Sequence, residues 1–339
     1  MNRVFVHHRS PHHATYSGYA QLVTQFPEAK VITGTPSMPY KIAKIVAAMH
    51  KQTSGLFNTA SVFKALELRN TLRQISSPTV VHFLNAERDV RYLVRLKKQY
   101  NQVVFCATFH KPPAVLEQRI TDWKYLQHLD GAIAVGENQV DFLKTKLPNT
   151  KVRYIPHGVD TQFFKPNSNK KHPNKVLFVG QHLRDFNTFN ACVPLLAEKN
   201  KDIQIHAVVN SGIEHRLKSH LNLHVHHGLS DEDLLAHYQT ASVLLLPMLD
   251  STACNSLLEA MACGVPIVTS RVGGNAEYLK ETSAKLINSK DVEAHVMATK
   301  QALQTVSSKT NVSHIVNTFD WKNIAHNVNR FHTDIIKKI

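Results

Sequence analysis

The segment Ser251–Leu279 combines polar, acidic and glycine residues at close spacing. The predicted elements are, in order, a polar loop, a short helix, a stop at Gly264, a buried strand over Val265–Ser270 and a turn at Gly273-Gly274. Asn255 or Ser256 can cap the helix, so the loop N–H groups would converge on the positive end of its dipole. Glu259 lies one turn into the helix, where its carboxylate can accept two sugar hydroxyls. Phosphate-binding amides beside a diol-binding acid indicate a nucleotide-sugar pocket.

Apolar, strand-like runs alternate with helical sequence along the whole chain. They are Arg3–His7, Val80–Phe83, Val103–Phe109, Gly131–Val135 and Lys151–Ile155, and later Lys175–Gly180, Ile203–Val209, Leu223–His227 and Val243–Pro247. The alternation restarts after a stretch rich in Pro, Asn and Lys, which predicts an α/β fold with two parallel sheets wrapped by helices. Since ligands of open α/β sheets bind beyond the carboxyl ends of the strands, we expect the site in the loops that follow them.

Length and composition fit a two-domain cytoplasmic protein with an uneven charge. The 339 residues carry a net charge of +15, and residues 1–155, with 21 basic and 9 acidic side chains, contribute +12 of it. The four cysteines show no metal-binding or pairing pattern and are interpreted as reduced thiols. No apolar run reaches the roughly 18 residues that a membrane span requires.

Two segments concentrate the basic residues of the first half. One is Lys41–Lys51, whose lysines (Lys41, Lys44 and Lys51) project opposite an apolar helical face of Ile42, Ile45, Val46 and Met49. The other is Val90–Lys98, where Arg91, Arg95 and Lys98 recur at helical spacing. These are either solvated faces of surface helices or a surface attracted to anionic lipid, worth roughly 1 kcal/mol per basic residue. Without a nucleic-acid motif, no nucleic-acid partner is expected.

Five segments spread along the chain carry a family resemblance. They are TFHKPP at Thr108–Pro113, YIPHGVDTQFFKP at Tyr154–Pro166, VLFVGQHL at Val176–Leu183, LLEAMACGVPIVTSRVGGNAEYL at Leu257–Leu279 and FDWKNIAHNVNRF at Phe319–Phe331. Together they resemble the retaining glycosyltransferases of family 4. The resemblance implies the GT-B architecture, in which two Rossmann-like domains face each other across a cleft. The implied parts are an acceptor-binding domain over 1–155, a linker over 156–173, a donor-binding domain over 174–318 and a C-terminal helix over 319–339 that returns to the first domain.

The resemblance also assigns roles to individual residues. Glu259 would accept the ribose hydroxyls, and His110 would contact the transferred sugar or its leaving phosphate. Gly18, in TYSGYAQL, and Gly180, in the turn of the donor domain, would lie near the diphosphate. No metal or other cofactor is expected, because helix N-termini and basic side chains would neutralise the leaving group.

The loop before Glu259 departs from the family pattern. The family's first glutamate stands eight positions earlier, where this chain has Ser251, and the next residues begin with Thr252 instead of glycine. Asp250 offers a carboxylate one position away, directed differently. We keep Asp250, Ser251, Thr252, Asn255 and Ser256 as candidate donor-binding residues with Glu259.

The phosphate clamp of the family is altered as well. The segment GQHLRDFNTF has no lysine in register, so Arg184 is predicted to bind the diphosphate in bidentate fashion. The alternative interpretation is a surface arginine paired with Asp185.

Other polar residues admit two interpretations each. Glu87 could orient an acceptor hydroxyl or act as a base, or could simply be a favourable charge at a helix N-terminus. His7, His8, His12 and His13 follow the first strand, but without a neighbouring carboxylate or thiol no metal site is expected there.

The sequence thus predicts a retaining glycosyltransferase that uses a nucleotide-diphosphate sugar. The acceptor would be a glycan or a lipid-linked intermediate of lipopolysaccharide, capsule or exopolysaccharide synthesis, met on the inner face of the cell membrane. One alternative is a non-catalytic nucleotide-sugar-binding homologue, because the loop and the clamp are altered. Another is an epimerase or phosphorylase of the same architecture, although no lysine is placed to hold a pyridoxal cofactor.

Overall fold

The structure is a computed structural model that describes residues 1–7, 15–50, 56–167, 172–304 and 312–337. The chain forms two compact units. Among the described residues, the first unit contains 1–7, Tyr19–His157 and 321–337, and the second contains 15–18 and Gly158–Asp320.

Each unit is built on a six-stranded parallel sheet, which confirms the predicted α/β fold. The first sheet has the order β2-β1-β3-β4-β5-β6, with β1 (Asn2–Val6), β2 (Lys30–Ile32), β3 (Thr79–Phe83), β4 (Val103–Phe109), β5 (Gly131–Ala134) and β6 (Lys151–Tyr154). The second has the order β12-β11-β10-β7-β8-β9, with β7 (Lys175–Val179), β8 (Gln204–Val208), β9 (Leu223–His226), β10 (Val243–Leu246), β11 (Ile267–Ser270) and β12 (Lys285–Ile287). Central strands such as β3, β4 and β10 are buried at every residue, which explains their unbroken apolar runs.

Helices cover both faces of the sheets. They are α1 (Tyr40–His50), α2 (Thr59–Leu72), α3 (Ala86–Asp89), α4 (Leu93–Gln99), α5 (Pro113–Arg119), α6 (Val140–Lys146), α7 (Phe186–Lys199), α8 (Asp231–Thr240), α9 (Asn255–Ala262), α10 (Asn275–Leu279), α11 (Val292–Gln304), α12 (Val312–Phe319) and α13 (Trp321–Ile336). The helix expected from about Ser17 is instead a 3-10 helix over Tyr19–Gln25. Among the described residues, no helix is both long and apolar enough to cross a membrane.

The last helix, α13, packs within the first unit. A Cβ at Gly131 in β5 would lie 3.0 Å from the ring of Phe331, so this glycine permits the close approach of the helix. Asp334 accepts a hydrogen bond from Arg153 Nη2 at 2.6 Å. The chain therefore leaves the second unit at Asp320 and ends in the first, as the family resemblance implies.

The stretch expected as a linker, 156–173, is mostly built into the second unit. Val159 N donates to Phe319 O at 2.8 Å, and the Thr161 hydroxyl donates to the Asp320 carboxylate. Phe164 is 1% exposed. Residues 168–171 lie outside the described part, but 158–167 are folded against the second unit because their apolar side chains and backbone groups find partners there.

The apolar face of α1 is not the buried one, contrary to the amphipathic pattern expected from the sequence. Ile42, Ile45 and Met49 are 49%, 63% and 75% exposed, whereas Ala43 and Ala47 are buried. The small alanines let the helix lie close to α2, which leaves the large side chains outside. Lys51, the third lysine of the pattern, lies outside the described residues.

The second basic segment is also not a single helical face. α4 begins at Leu93, and Tyr92 before it has a left-handed backbone with φ of 62°. Arg91 therefore lies outside the helix, and its guanidinium carbon is 4.4 Å from the ring centroid of Tyr125. Only Arg95 and Lys98 of the predicted set stand exposed on α4.

Candidate functional site

The strand order of the second unit creates a crevice between two diverging loops. After β7 the chain proceeds to β8 on one side, and β10 lies on the other, so the loops after β7 and β10 leave the sheet at a topological switch point. These loops are tied together by the hydrogen bonds from Leu249 N to Leu183 O and from Asp185 N to Pro247 O, both 2.9 Å. The predicted site residues after Gly180 and Pro247 are thereby brought together.

Helix α9 starts at this switch point with an uncapped end. Its N-cap is Cys254, which makes no side-chain hydrogen bond to the helix. Asn255 and Ser256, expected as caps, are instead its first two helical residues. The Ser256 hydroxyl lies within hydrogen-bonding distance of Val179 O and Arg184 Nη2, so it is directed at the β7 loop. The positive end of the helix dipole therefore lacks a capping oxygen of its own, as suits an anion-binding helix end.

Glu259 lies buried in α9, one turn from this end. Its Oε1 accepts a hydrogen bond from Ser17 Oγ at 2.5 Å, and its Oε2 accepts one from Tyr238 OH at 2.7 Å. Burial raises the pKa of the carboxyl group, and the two hydroxyl donors and the nearby Arg184 charge oppose that rise. The carboxylate thus already binds two hydroxyl groups, one on each oxygen.

The segment that supplies Ser17 is held against the second unit. Thr15 N donates to Asp231 Oδ2 at 2.6 Å, and the Tyr16 ring stacks on Phe163 with centroids 3.9 Å apart. Gly18 follows with φ of 87°, a conformation that favours glycine. Gly18 and Ser17 line a small pocket together with Asn255, Leu258 and Glu259. The sequence placed Gly18 near the site but missed Ser17, although Ser17 precedes it in TYSGYAQL, and it missed Tyr238, which belongs to none of the matching segments.

Arg184 is buried, contrary to the phosphate-binding side chain expected from the sequence. The residue is 6% exposed. Its nitrogens donate inward, to Val179 O, His182 O, Met248 Sδ, Cys254 Sγ and Ser256 Oγ. A guanidinium has five N–H donors, so no free fork remains for bidentate phosphate binding in this state. The pairing with Asp185 is also wrong, because that carboxylate caps α7 through Thr188.

The loop after β10 packs on the glycine pair of the α10 turn. A Cβ at Gly273 would lie 1.8 Å from Ser251 O, and one at Gly274 would lie 2.2 Å from Thr252 O. Both positions therefore need glycine. Asp250 Oδ1 accepts from Ser251 N at 2.7 Å, so this carboxylate turns back onto its own loop. Thr252 is 3% exposed, and within the described residues its hydroxyl has no hydrogen-bond partner.

The two candidates of the first unit, Glu87 and His110, form one cluster. Glu87 Oε1 accepts from the backbone N–H groups of His110 and Lys111 at 2.6 and 2.8 Å. His110 Nε2 lies 2.7 Å from Leu84 O and must carry the proton, since a carbonyl only accepts. Burial lowers the pKa of His110, with Glu87 opposing the shift, so the neutral ring keeps an unprotonated Nδ1. Glu87 thus positions the loop that carries His110.

The four histidines that follow the first strand are mostly outside the described residues. His8, His12 and His13 lie outside the described residues, and only His7, at the end of β1, is described.

The second unit matches a known family. Residues 173–305 match the family model described as Glycosyl transferases group 1. One subunit of the human phosphatidylinositol N-acetylglucosaminyltransferase is 25% identical over 205 residues, which are 56% of this chain and 42% of that protein. An MMP α-(1→4)-mannosyltransferase of Mycolicibacterium hassiacum is 28% identical over 159 residues, 42% of this chain and 37% of that protein. The matches span less than half the length of both relatives.

The fold has solved counterparts over its whole length. Sucrose-phosphate synthase from Thermosynechococcus elongatus covers 100% of this chain and is itself covered completely, with a TM-score of 0.73 at 15% identity. That identity shows the fold alone. The chain therefore has the GT-B fold, as the sequence motifs predict, and residues 173–305 of its second unit are similar to the glycosyltransferases of group 1.

Proposed function

We propose that this chain transfers a sugar from a nucleotide-diphosphate sugar to a glycan or lipid-linked acceptor, with retention of the anomeric configuration. The observation that carries the proposal is the geometry of Glu259, a buried carboxylate with one hydroxyl on each oxygen, one turn from an uncapped helix end. A ribose diol presents two hydroxyls in the same way. The names of the two relatives, an N-acetylglucosaminyltransferase and a mannosyltransferase, support hexose-type donors.

The diphosphate would meet positive charge from backbone and buried side chains. The N-terminal N–H groups of α9 and the turn at Gly180 lie at the same switch point. The Arg184 guanidinium is hydrogen-bonded to Ser256 of α9 and lies next to Gly180, so it adds a permanent positive charge there. Such fixed dipoles and charges stabilise a leaving diphosphate in an oxocarbenium-like transition state. We therefore propose transfer that needs no catalytic metal.

The acceptor would bind to the first unit. His110 offers an unprotonated Nδ1 on a loop that Glu87 holds, and burial keeps the ring neutral. Glu87 Oε2 is buried and accepts no hydrogen bond from the described residues. A hydroxyl donor of the acceptor could satisfy this oxygen.

Association with the inner face of the cell membrane is the part of the proposal that rests on α1. The exposed apolar stripe of Ile42, Ile45 and Met49 runs beside the exposed lysines Lys41 and Lys44. Apolar side chains flanked by lysines are the composition of helices that lie in an anionic lipid interface. A lipid-linked acceptor would be met at that surface.

A non-catalytic nucleotide-sugar-binding homologue is the second candidate. Two observations favour it: Ser251 stands where the family has its first glutamate, and the donors of Arg184 are all directed inward. Slow hydrolysis of the bound nucleotide sugar without acceptor would support the enzyme. Binding without hydrolysis or transfer, across a panel of acceptors, would support the homologue.

The test of the proposed site is Glu259→Gln. The substitution keeps an oxygen for Tyr238 but removes the charge, and hydrogen bonds to a charged group contribute about 1.5–3 kcal/mol each. We expect calorimetry with UDP-, GDP-, ADP- and CMP-sugars to show one preferred base, and the variant to bind that donor more than tenfold more weakly. Glu232→Gln, an exposed change of the same type in α8, is the matched control. Equal affinity in Glu259→Gln would remove Glu259 from the site.

The truncation Glu259→Ala is a poorer test of the site than Glu259→Gln. In the structure the truncation leaves the buried Tyr238 hydroxyl without its acceptor, which costs about 1–3 kcal/mol.

A further inference from the structure

Three histidines converge on one face of the second sheet. His206 in β8 pairs in register with His224 in β9, and His226 follows two residues later on the same face of β9. His237, in α8, lies over them. One ring nitrogen of each lies within 4.8 Å of the others. His206 Nδ1 and His226 Nε2 are 2.9 Å apart, and the His226 and His237 ring centroids are 4.5 Å apart. Ring nitrogens this close together can bind one shared ligand.

Hydrogen bonds within the cluster satisfy only some of its ring nitrogens. Neutral rings share one N–H···N hydrogen bond across the 2.9 Å contact between His206 Nδ1 and His226 Nε2. His206 Nε2 and His237 Nδ1 are buried and have no hydrogen-bond partner among the described residues. These two ring nitrogens are therefore available to a ligand.

We propose that His206, His226 and His237 bind a divalent transition-metal ion, with Zn²⁺ as the ion of best-fitting chemistry. Three imidazoles with one open position form a common tetrahedral zinc site, with Zn–N distances of about 2.0–2.1 Å. Ligand nitrogens at a tetrahedral centre of that size lie about 3.3 Å apart. The present 2.9 Å contact needs to open by a few tenths of an ångström, and the wider contacts need to close. The rings are half-buried, so water can supply the fourth ligand.

The charges around the cluster limit its affinity for a cation. The three rings are half-buried, and neutral imidazole is the form that binds metal. Lys175 Nζ donates to Thr240 Oγ1 at 2.6 Å, and its positive charge opposes a cation. Asp233 supplies a compensating negative charge near His237.

The proposed ion would link three elements of the second unit, and its water-filled fourth position differs from the closed four-ligand sites that are usual for structural zinc. β9 is the edge strand of its sheet, and α8 connects it to β10, so a metal on β8, β9 and α8 would fasten the edge of the unit. The site is separate from the donor site in its residues, and it does not depend on the proposed transfer reaction.

The experiment is a metal titration of the full chain after removal of metals with EDTA. We expect one equivalent of Co²⁺ to give a tetrahedral d–d absorption band, and Zn²⁺ to displace it and to raise the melting temperature. The variants His206→Gln and His237→Gln should each weaken binding by about tenfold or more. The matched control is His224→Gln, an exposed histidine whose ring centroid lies 5.0 Å from that of His206 but which is not part of the three-nitrogen cluster.

Two results would overturn the proposal. One is a wild-type titration without a saturable one-equivalent Co²⁺ band, which needs no variant to fold. The other is binding that persists unchanged in His206→Gln and His237→Gln, since the remaining histidines would then be responsible.

Discussion

Glu259, the acid of the proposed donor site, is buried with a hydrogen-bond partner on each oxygen. Its two oxygens accept from Ser17 and Tyr238, and in the proposed complex a diol would bind in place of one or both of these hydroxyls. Tyr238 is buried at 0% exposure, whereas Ser17 belongs to a short segment next to Gly18. Ser17 is therefore the partner that an incoming diol can displace.

Removing the Ser17 hydroxyl should tighten donor binding. In Ser17→Ala the nucleotide no longer competes with an internal hydrogen bond to a carboxylate, and a bond to a charged group contributes about 1.5–3 kcal/mol. We expect the dissociation constant of the preferred nucleotide sugar to fall about tenfold or more in calorimetry. Weaker binding in Ser17→Ala would show instead that the hydroxyl contacts the ligand.

Tyr238→Phe serves as the comparison for that experiment. It removes the other hydroxyl and keeps the ring, but it does so on the buried side of the carboxylate. A loss of stability without tighter binding is expected, and it would separate the two partners of Glu259.

Arg184 illustrates why residue type alone does not define a role. An arginine after a glycine turn fits phosphate recognition, yet its donors bind the β7 loop and the start of α9. Gly180 allows this, since a Cβ there would lie 2.9 Å from Arg184 Nη2. The guanidinium thus stabilises the shape of the turn after β7, to which we assign phosphate binding.

At the scale of elements, α1 is distinguished by what it leaves uncovered. Its contact with the unit runs through Ala43 and Ala47, and three large apolar residues remain exposed. An apolar stripe of this type costs free energy in water unless another apolar phase covers it. In the proposed membrane association, an anionic lipid surface would cover this stripe, and the exposed Lys41 and Lys44 would contact its headgroups.

Vesicle sedimentation tests this role of α1. Lys41→Glu with Lys44→Glu should reduce binding to phosphatidylglycerol-containing vesicles by tenfold or more, since each basic residue contributes about 1 kcal/mol. Ile45→Ser should weaken binding to the same vesicles without a change of charge.

The matched control for this test is Lys144→Glu on α6, whose lysine is also exposed. Equal binding by the α1 variants and the wild type would mean that the basic face is merely solvated.

The glycine turn before α10 has a purely steric explanation. Gly273 and Gly274 make room for the backbone of Ser251 and Thr252, at distances no side chain could tolerate. The spacing between the polar loop and these glycines is thus a packing requirement between two loops of one sheet edge.

For the whole molecule, buried neutral histidines should make stability depend on pH. Burial, with a smaller effect of His110, lowers the pKa of His82 from 6.5 to about 3, and the pKa values of His332, His206 and His237 also fall. Below pH 6.5 these histidines bind protons in the unfolded chain but stay unprotonated in the native chain. Their contribution to the free energy of unfolding is therefore fully present above pH 6.5 and is lost as the pH falls towards about 3.

Urea unfolding at pH 7 and pH 5 measures this effect. His82 alone should lower the free energy of unfolding by about 2 kcal/mol between these values. The variant His82→Gln should be less stable at pH 7 but should lose about 2 kcal/mol less on acidification. An unchanged pH dependence in that variant would show that His82 binds its proton normally.

The sequence by itself determined the two parallel sheets, because strands buried on both faces must be continuously apolar and helices must alternate with them. It also predicted that Gly18 and Glu259 lie near each other, and the two residues line one small pocket in the structure. The sequence did not predict the strands β2 and β12, because each has only three residues and little buried apolar surface.

Only the tertiary structure decided which polar atoms already have a hydrogen-bond partner within the protein. The inward donors of Arg184, the hydroxyls on Glu259, the outward stripe of α1 and the histidine cluster all depend on neighbours distant in sequence. Hydrogen bonds and burial depend on these three-dimensional neighbours, and local periodicity does not encode them.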